Sequence, residues 1–201
     1  MHALIVVAHP DPNSLTHSLA AQVAEGLQAA GHSFELADLA AEGFDQRYGM
    51  ADLNVHRQQA TPPADVLAEQ ARIDRADSLV LVFPVYWWSL PGLLKSWVER
   101  VFSHGWAFGY SADGALQKKL RHLKVHLIGV AAGDAGLFER HGYGDAMKTQ
   151  IEHGIFDYCG ASVLSSQLVY ESESRDPAHY LRAARATGLD LFATTAEPEL
   201  V

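Results

Sequence analysis

Three consecutive aromatic residues, Tyr86, Trp87 and Trp88, follow a predicted buried strand that runs from Ser78 to Pro84. Three such side chains at the end of one strand cannot all enter the core of a sheet, so at least one must face a crevice. Crevices with apolar walls and few polar groups are the usual binding sites of flat ring ligands. The run therefore favours a planar ligand. The alternative is that the two tryptophans pack under a neighbouring helix or in a dimer interface.

A second candidate site is the loop before the first predicted helix, which reads His9-Pro10-Asp11-Pro12-Asn13-Ser14. It contains no G-x-G-x-x-G pattern, and the chain contains no G-x-x-x-x-G-K-[ST] pattern, which argues against a common Rossmann dinucleotide site and a P-loop. Hydroxyl and amide groups at a helix start form an anion site together with the helix dipole. They also serve as plain caps. Phosphate binding and capping by Asn13 and Ser14 are equally supported at this point.

Metal and thiol chemistry receive little support from the sequence. His122 and His126 have the spacing of a metal pair on a helix, but they fall at the start of a strand with no further ligand in view, so no metal site is expected. The single cysteine, Cys159, excludes an internal disulfide and suits a reducing compartment. We expect Cys159 to be a small buried hydrophobe rather than a redox thiol.

Apolar periodicity predicts five strands that alternate with five helices, and hence a doubly wound parallel sheet in an α/β fold. Ligands on such sheets bind beyond the carboxyl ends of the strands, which selects the loops after the first, third and fourth strands. A long loop of functional or mobile character is predicted over residues 40–63, and Ser89 is predicted to cap the third helix. The predicted strands are Leu4 to Ala8, Ser33 to Leu39, Ser78 to Pro84, Lys124 to Val130 and Ser162 to Tyr170; the predicted helices are 15–30, 64–75, 91–102, 145–158 and 176–191.

Length and charge narrow the class of protein. The 201 residues predict a single domain, with a frayed tail over residues 194–201. The 24 acidic and 15 basic residues give a net charge of −9, which disfavours binding to nucleic acid or to anionic lipid. No apolar stretch is long enough for a bilayer span and no export signal is evident, so we expect no membrane insertion and a cytoplasmic location.

Several motifs taken together carry a family resemblance. They are His9 and Ser14, Phe83-Pro84 with Trp87-Trp88-Ser89-Leu90-Pro91, Leu94-Lys95-Ser96-Trp97-Val98-Glu99-Arg100-Val101-Phe102, Trp106-Ala107-Phe108-Gly109-Tyr110 and Phe156-Asp157-Tyr158-Cys159-Gly160. In this order they resemble the flavin-dependent NAD(P)H:quinone oxidoreductases of the DT-diaphorase type, from residue 4 to about residue 170. The resemblance implies a flavodoxin-like fold with three α/β/α layers, bound FAD and a homodimer.

The resemblance also implies where each part of the cofactor would lie. The pyrophosphate and ribityl part of FAD would contact His9, Ser14, Leu15 and Thr16. The isoalloxazine would be flanked by Pro84, Val85, Tyr86, Trp87 and Trp88, with its pyrimidine side held by Ala131, Ala132, Gly133 and Asp134. Nicotinamide and quinone would bind in turn in a pocket lined by Trp106, Phe108 and Tyr110, which this family completes across the dimer.

The chain departs from the family pattern after the fourth strand. Relatives commonly carry Thr-Thr-Gly-Gly where this chain has Ala131-Ala132-Gly133-Asp134, and Phe138 stands where a tyrosine that pairs with a histidine is expected. His141 and Tyr143 lie close by, in a predicted strand-to-helix loop. We therefore predict these two as the catalytic pair, because an imidazole and a phenol can donate hydrogen bonds to the negatively charged edge of a reduced flavin.

The sequence thus predicts a quinone reductase in which hydride passes from NADH or NADPH to FAD and then to a quinone, in a ping-pong cycle. Three alternatives stay open. They are an FMN-dependent azo- or nitroreductase, an ancillary flavin-binding subunit of a potassium-efflux transporter, and a one-electron carrier of the flavodoxin type. The identity of the bound flavin distinguishes the first alternative from an FAD-dependent quinone reductase. Co-purification of a transporter would identify the second alternative.

Overall fold

A sheet of five parallel strands organises residues 1–193, which the computed structural model describes. The five strands are β1 His2–Val7, β2 Ser33–Asp38, β3 Ser78–Pro84, β6 Lys124–Val130 and β7 Ser162–Val169, and a separate antiparallel hairpin contains β4 Phe108–Tyr110 and β5 Leu116–Lys118. The helices are α1 Leu15–Ala29, α2 Met50–His56, α3 Ala64–Asp74, α4 Gly92–Val101, α5 Ala135–His141, α6 Tyr143–Met147 and α7 Ala178–Asp190. The strand order β2-β1-β3-β6-β7 confirms the predicted doubly wound, flavodoxin-like sheet.

Helices cover both faces of this sheet because its central strands are apolar on both sides. Every residue of β3 is buried, and so are Ala3 to Val7 of β1. One face packs against α1 and α7, with Leu19, Val23 and Leu27 in its core. The opposite face packs against α3, α4 and the segment after β6, where Trp97, Phe102 and Phe156 are buried. The result is the predicted three-layer α/β/α arrangement.

The contact between α1 and α7 depends on two glycines. A Cβ atom placed on Gly188 would lie 2.1 Å from the carbonyl oxygen of Val23, and one on Gly26 would lie 2.2 Å from that of Arg185. Atoms cannot approach so closely, so the two backbones meet only because glycine occupies both positions. The backbones of α7 and α1 are therefore in direct contact at these two positions.

The segment between β2 and α3 differs from the prediction. Residues 40–63 were expected to form a loop, but α2 interrupts them. The helix has seven residues, so it is too short to be stable alone and depends on tertiary contacts. The hairpin of β4 and β5 is a second element that the sequence did not predict, because each of its strands has only three residues.

Two further predictions need correction around α4 and after β6. Ser89 does not cap α4, because the cap position is Pro91 and Ser89 ends a tight turn instead. The helix predicted over 145–158 begins earlier, as α5 and α6, and continues as a π-helix, Lys148–Asp157. Gly142, with a φ of 68°, separates α5 from α6 in the left-handed conformation that glycine tolerates best.

Within residues 1–193, no helix combines the length and apolar character that crossing a bilayer requires. The predicted frayed tail, residues 194–201, lies outside the described residues. That the chain forms a single domain stays a prediction.

Candidate functional site at the carboxyl edge of the sheet

The loops after β1, β3 and β6 lie side by side because their first residues continue the hydrogen bonding of the sheet. The amide of Ala8 donates to Val82, that of Val85 donates to Val130, and that of Ala131 donates to Val169, at 3.3, 2.8 and 2.8 Å. The three loops selected from the sequence therefore begin together at the carboxyl edge. This brings together the predicted cofactor residues of the first loop, the aromatic run and the loop Ala131 to Asp134.

The aromatic run forms a strained turn. Tyr86 and Ser89 exchange two backbone hydrogen bonds of 3.2 and 3.1 Å, and between them Trp87 and Trp88 have φ angles of 50° and 54°. Two left-handed central residues define a type I′ turn, which normally contains Asn or Gly. A bulky residue in this region is an outlier that costs about 1 to 3 kcal/mol. Strain of this size persists mainly at functional sites, where the conformation itself is useful.

The turn exposes one tryptophan and secures the other. The side chain of Trp87 is 87% exposed and so lies open to solvent. The ring of Trp88 instead stacks on Tyr143, with 4.1 Å between centroids and an angle of 26°. The hydroxyl of Ser89 donates to the side chain of Gln150 in the π-helix. Because π-helical turns are common at functional sites, this contact agrees with a ligand-binding role for the turn.

The predicted catalytic pair lies beside this turn, but not in a strand-to-helix loop. His141 is the last residue of α5 and Tyr143 the first of α6, so the expectation of a loop is corrected to two consecutive short helices. The His141 ring is exposed and stacks on Tyr143 at 5.2 Å, and the Tyr143 ring contacts Trp88 directly. Of the two residues, Tyr143 is therefore the one in contact with the aromatic turn.

In the first loop, Ser14 caps α1, as predicted. Its hydroxyl oxygen accepts a hydrogen bond from the His17 amide at 3.3 Å. The same oxygen lies 2.9 Å from Nδ1 of His17, whose Nε2 lies 2.9 Å from Oδ2 of Asp38 at the end of β2. Partial burial alone would raise the pKa of Asp38, but hydrogen bonds from the Ala41 amide and from His17 outweigh it and lower the pKa. Asp38 is therefore ionised at neutral pH.

The sequence analysis missed His17 and Asp38. The available signal was the position of His17 three residues after the cap, on the first turn of α1. Its partner could not be seen because Asp38 is 21 residues away on the neighbouring strand. The other predicted residues of this loop flank the pair: Leu15 and Thr16 form the start of α1, and the ring of His9 lies edge-on to that of His17 at 6.3 Å.

The loop after β6 is held from both sides. Asp134 caps α5, because its carboxylate accepts a hydrogen bond from the Leu137 amide at 2.8 Å. The carbonyl of Gly133 accepts from the Glu171 amide, and that of Ala131 accepts from Ser172, both at 3.1 Å. The carboxylate that replaces a glycine of the family pattern thus has a structural partner. The segment after β7 is a neighbour of this loop that the sequence analysis did not identify.

The predicted substrate residues lie apart from the predicted cofactor residues. Trp106 and Tyr110 line an open cavity of about 810 Å³, whose walls include none of the predicted cofactor residues. Trp106 donates from Nε1 to Asp74 at 3.1 Å, and the Tyr110 and Tyr158 hydroxyls are 2.7 Å apart. That hydrogen bond, with partial burial, raises the pKa of Tyr158 to about 12. Phe108 packs edge-on against Tyr158 at 5.3 Å.

The remaining titratable candidates behave as structural residues. His126 is buried in β6 and its Nδ1 lies 2.8 Å from the Ser165 hydroxyl; burial, with the charge of Lys124, lowers its pKa to about 4. Cys159 is buried as predicted, and burial raises the pKa of its thiol to about 11. In the part of the chain that the structure describes, no three His, Cys, Asp or Glu side chains cluster as a metal site would require.

The chain is similar to known proteins over most of its length. Residues 1–189 match the model of the flavodoxin-like fold family. Ribosyldihydronicotinamide dehydrogenase (quinone) from Homo sapiens is 30% identical over 193 residues, which cover 85% of this chain and 81% of that protein. The solved NAD(P)H:quinone oxidoreductase from Methanothermobacter marburgensis is 26% identical, with a TM-score of 0.87 over 95% of this chain and 98% of that one.

A third, local similarity covers only 28% of the chain. Over 56 residues the sequence is 53% identical to the glutathione-regulated potassium-efflux system ancillary protein KefF from an Enterobacter species. The fold and the first two matches together define the class of protein. The chain belongs to the flavodoxin-like family of quinone reductases, which are flavoprotein oxidoreductases.

Proposed function

We propose that the chain is an FAD-dependent NAD(P)H:quinone oxidoreductase. The observation that carries this proposal is the strained turn of Trp87 and Trp88, which presents an exposed indole at the carboxyl edge, next to two other loops. A strained, exposed aromatic that the surrounding structure holds in place fits a flat ring ligand. The surrounding chemistry also fits a flavin, because the α1 terminus can receive a phosphate and Tyr143 can donate a hydrogen bond.

Each loop has a proposed part in holding the cofactor. His9, Ser14, Leu15 and Thr16 bind the pyrophosphate and ribityl part at the start of α1. Residues 84–88 flank the ring, and residues 131–134 hold its pyrimidine side. A flavin held by these loops would supply the hydride chemistry between NADH or NADPH and a quinone. Tyr143, with His141 stacked behind it, donates a hydrogen bond to the polar edge of the ring and stabilises negative charge there.

A homodimer would supply the rest of the substrate pocket. Trp106 and Tyr110 line a cavity apart from the cofactor loops of their own chain. We therefore propose that they act, with Phe108, on the flavin of the neighbouring subunit. The quinone and the nicotinamide would then bind in turn between the two chains.

A second candidate function has one specific observation behind it. The local identity of 53% to an ancillary protein of a potassium-efflux system supports a role as a flavin-binding subunit of such a transporter. That role is compatible with the same pocket. An FMN-dependent azo- or nitroreductase uses the same geometry and differs in the flavin that it retains.

One experiment tests the main proposal. The visible spectrum of the purified protein is recorded, the chromophore is released and identified, and the holoenzyme is titrated with NADH and with NADPH under argon. We expect FAD, bleaching by at least one nucleotide and recovery on addition of a quinone. A folded protein that stays colourless in excess FAD and FMN would contradict the proposal. FMN as the sole chromophore would favour the azo- or nitroreductase, and a co-purifying transporter would favour the ancillary role.

A further inference from the structure

A second cavity, of about 470 Å³, opens beside the double-tryptophan turn on the side of β1 and β2. Its walls come from the loop after β1, from residues 39–46, from Tyr86 and from the start of α4. Among the described residues that line it, Gln46 and Tyr86 are the only ones with polar side-chain atoms; the others are alanine, glycine, proline, leucine and phenylalanine. Its volume lies within the range typical of small-molecule sites.

The outer wall of this cavity is fixed by a buried ion pair. Nε of Arg100 in α4 donates to Asp52 of α2 at 2.9 Å, and both side chains are only 5% exposed. The same guanidinium lies 5.4 Å from the ring centre of Phe44, a wall residue. The hydroxyl of Ser96 donates to the carbonyl of Gln46 at 2.5 Å. Loss of one partner of a buried pair is strongly destabilising, so these contacts hold the wall in position.

The composition of the walls indicates what the cavity can bind. No lysine or arginine side chain is found among the described residues that line it, so a phosphate or a carboxylate would find no cation there. Burial of apolar surface is the main interaction that such walls offer. An uncharged apolar group therefore fits these walls.

The position of Tyr86 indicates how such a group could reach the cavity. Tyr86 belongs both to the strained turn, through its two backbone hydrogen bonds to Ser89, and to the wall of the cavity. Its side chain is 48% exposed and the neighbouring Trp87 is almost fully exposed. A ligand that stacks its ring near Trp87 can therefore pass an apolar arm over Tyr86 into the cavity.

We propose that this cavity binds the apolar tail of the substrate, so that the acceptor is a quinone with an isoprenoid side chain rather than a bare ring. The inference rests on the proposed function, because it assumes that the ring of the quinone binds near the turn. It adds the class of quinone, which the fold and the family leave open.

The test compares two quinones by titration calorimetry on the protein as purified. One is a dimethoxy-methyl-benzoquinone without a side chain, and the other is the same ring with a geranyl side chain. We expect the geranyl quinone to bind about tenfold more tightly or better, because burial of about two methylene groups already suffices for that factor. Equal affinities would overturn the proposal.

Variants locate the tail in the cavity. Ala40→Phe places a ring inside it, whereas Ala41→Phe is the matched control at the next, exposed position outside the cavity. The ratio of the two affinities should fall toward one in Ala40→Phe and keep its original value in Ala41→Phe. Gly92→Leu is a second filling variant, since a Cβ at Gly92 meets no atom within 4 Å and should not disturb folding. A ratio that survives in both filling variants would contradict the assignment.

The outcomes separate this inference from the proposed function. A yellow protein that reduces both quinones but binds them equally contradicts the tail site and leaves the quinone reductase standing. A protein that holds no flavin, yet loses its preference for the geranyl quinone when the cavity is filled, supports the tail site and contradicts the proposed function.

Discussion

The carboxyl edge of the sheet and the face covered by α1 and α7 are built in opposite ways. At the edge, Trp87 and Trp88 adopt conformations that tryptophan rarely takes, and Trp87 lies open to solvent. On the covered face, Gly26 and Gly188 allow two helices to touch, and the side chains between the layers are apolar and buried. Strain and exposed apolar surface thus collect where a ligand is expected, while the other face contributes packing.

The comparison teaches that stability and activity should respond to different residues. A substitution on the covered face should lower the free energy of unfolding and leave the site geometry alone. A substitution at the strained turn should change ligand binding with little loss of stability, or with a gain. Substitutions in both regions, each given below with its measurement, test this separation.

The largest effect is expected from Gly188→Ala. Its Cβ would lie 2.1 Å from the carbonyl oxygen of Val23, so α1 and α7 must move apart. We expect the free energy of unfolding to fall by about 3 kcal/mol, measured by urea denaturation. Gly144→Ala is the control, since a Cβ there meets no atom within 4 Å, and it should change stability by less than about 1 kcal/mol. Similar losses in both variants would mean that the close contact is unimportant.

His126 should make stability depend on pH. Burial lowers its pKa from 6.5 to about 4, so the unfolded chain binds a proton more readily than the folded one between these values. Stability is therefore full above pH 6.5 and falls as the pH drops toward 4, by about 3 kcal/mol in total from this residue.

His126→Gln should remove most of that slope when urea unfolding is repeated between pH 7 and pH 4. His122→Gln, at an exposed histidine nearby, serves as the control and should keep the slope of the parent protein. A parent protein whose stability does not change over this range would show that His126 is protonated without penalty.

At the edge, Tyr143→Phe should slow the reduction of bound flavin by NADH or NADPH about tenfold or more, because a hydrogen bond to a charged group is lost. Stability should hardly change, since the ring can still stack on Trp88. Anaerobic stopped-flow absorbance measures the rate. His141→Ala should slow the same step by less, because the His141 ring stacks on Tyr143 and Tyr143 is the one of the two that contacts the turn. Parent rates in both variants would remove the pair from the mechanism.

For Trp87→Gly the expected change in stability is modest, and its sign is the informative part of the result. Glycine adopts a φ of 50° without strain, and the lost side chain is almost fully exposed, so the variant should be about 1 kcal/mol more stable. It should also retain less flavin after gel filtration. Trp87→Ala keeps the left-handed backbone and loses the ring, so it should lose flavin without that gain. A Trp87→Gly protein that is less stable than Trp87→Ala would show that the turn is not strained.

The sequence predicted those parts of the fold that depend on long apolar patterns. The five strands follow from runs such as Ser78–Pro84. The residues of this run are apolar or small, and all of them are buried in the structure. The cap at Ser14 and the buried Cys159 also follow from local rules. The three loops of the site could be selected because parallel strands bring their carboxyl ends to one edge.

The missed features depend on contacts between distant residues. The short helix α2 is held by a contact between Asp52 and Arg100, which is 48 residues away. The local sequence therefore gives no signal that predicts this helix. The hairpin and the π-helix are too short or too irregular for a periodic pattern. The conformation of Trp87 and Trp88 could not be predicted at all, because local preference opposes it and the surrounding structure imposes it.

The hydrogen-bonded chain from Ser14 through His17 to Asp38 has a consequence for charge at the start of α1. An ionised carboxylate can only accept, so Nε2 of His17 carries a hydrogen and Nδ1 of a neutral ring is left as an acceptor. The Ser14 hydroxyl then turns its own hydrogen inward and offers only lone pairs to the loop. The backbone amides at the start of α1, rather than this hydroxyl, are then the donors that a phosphate would meet.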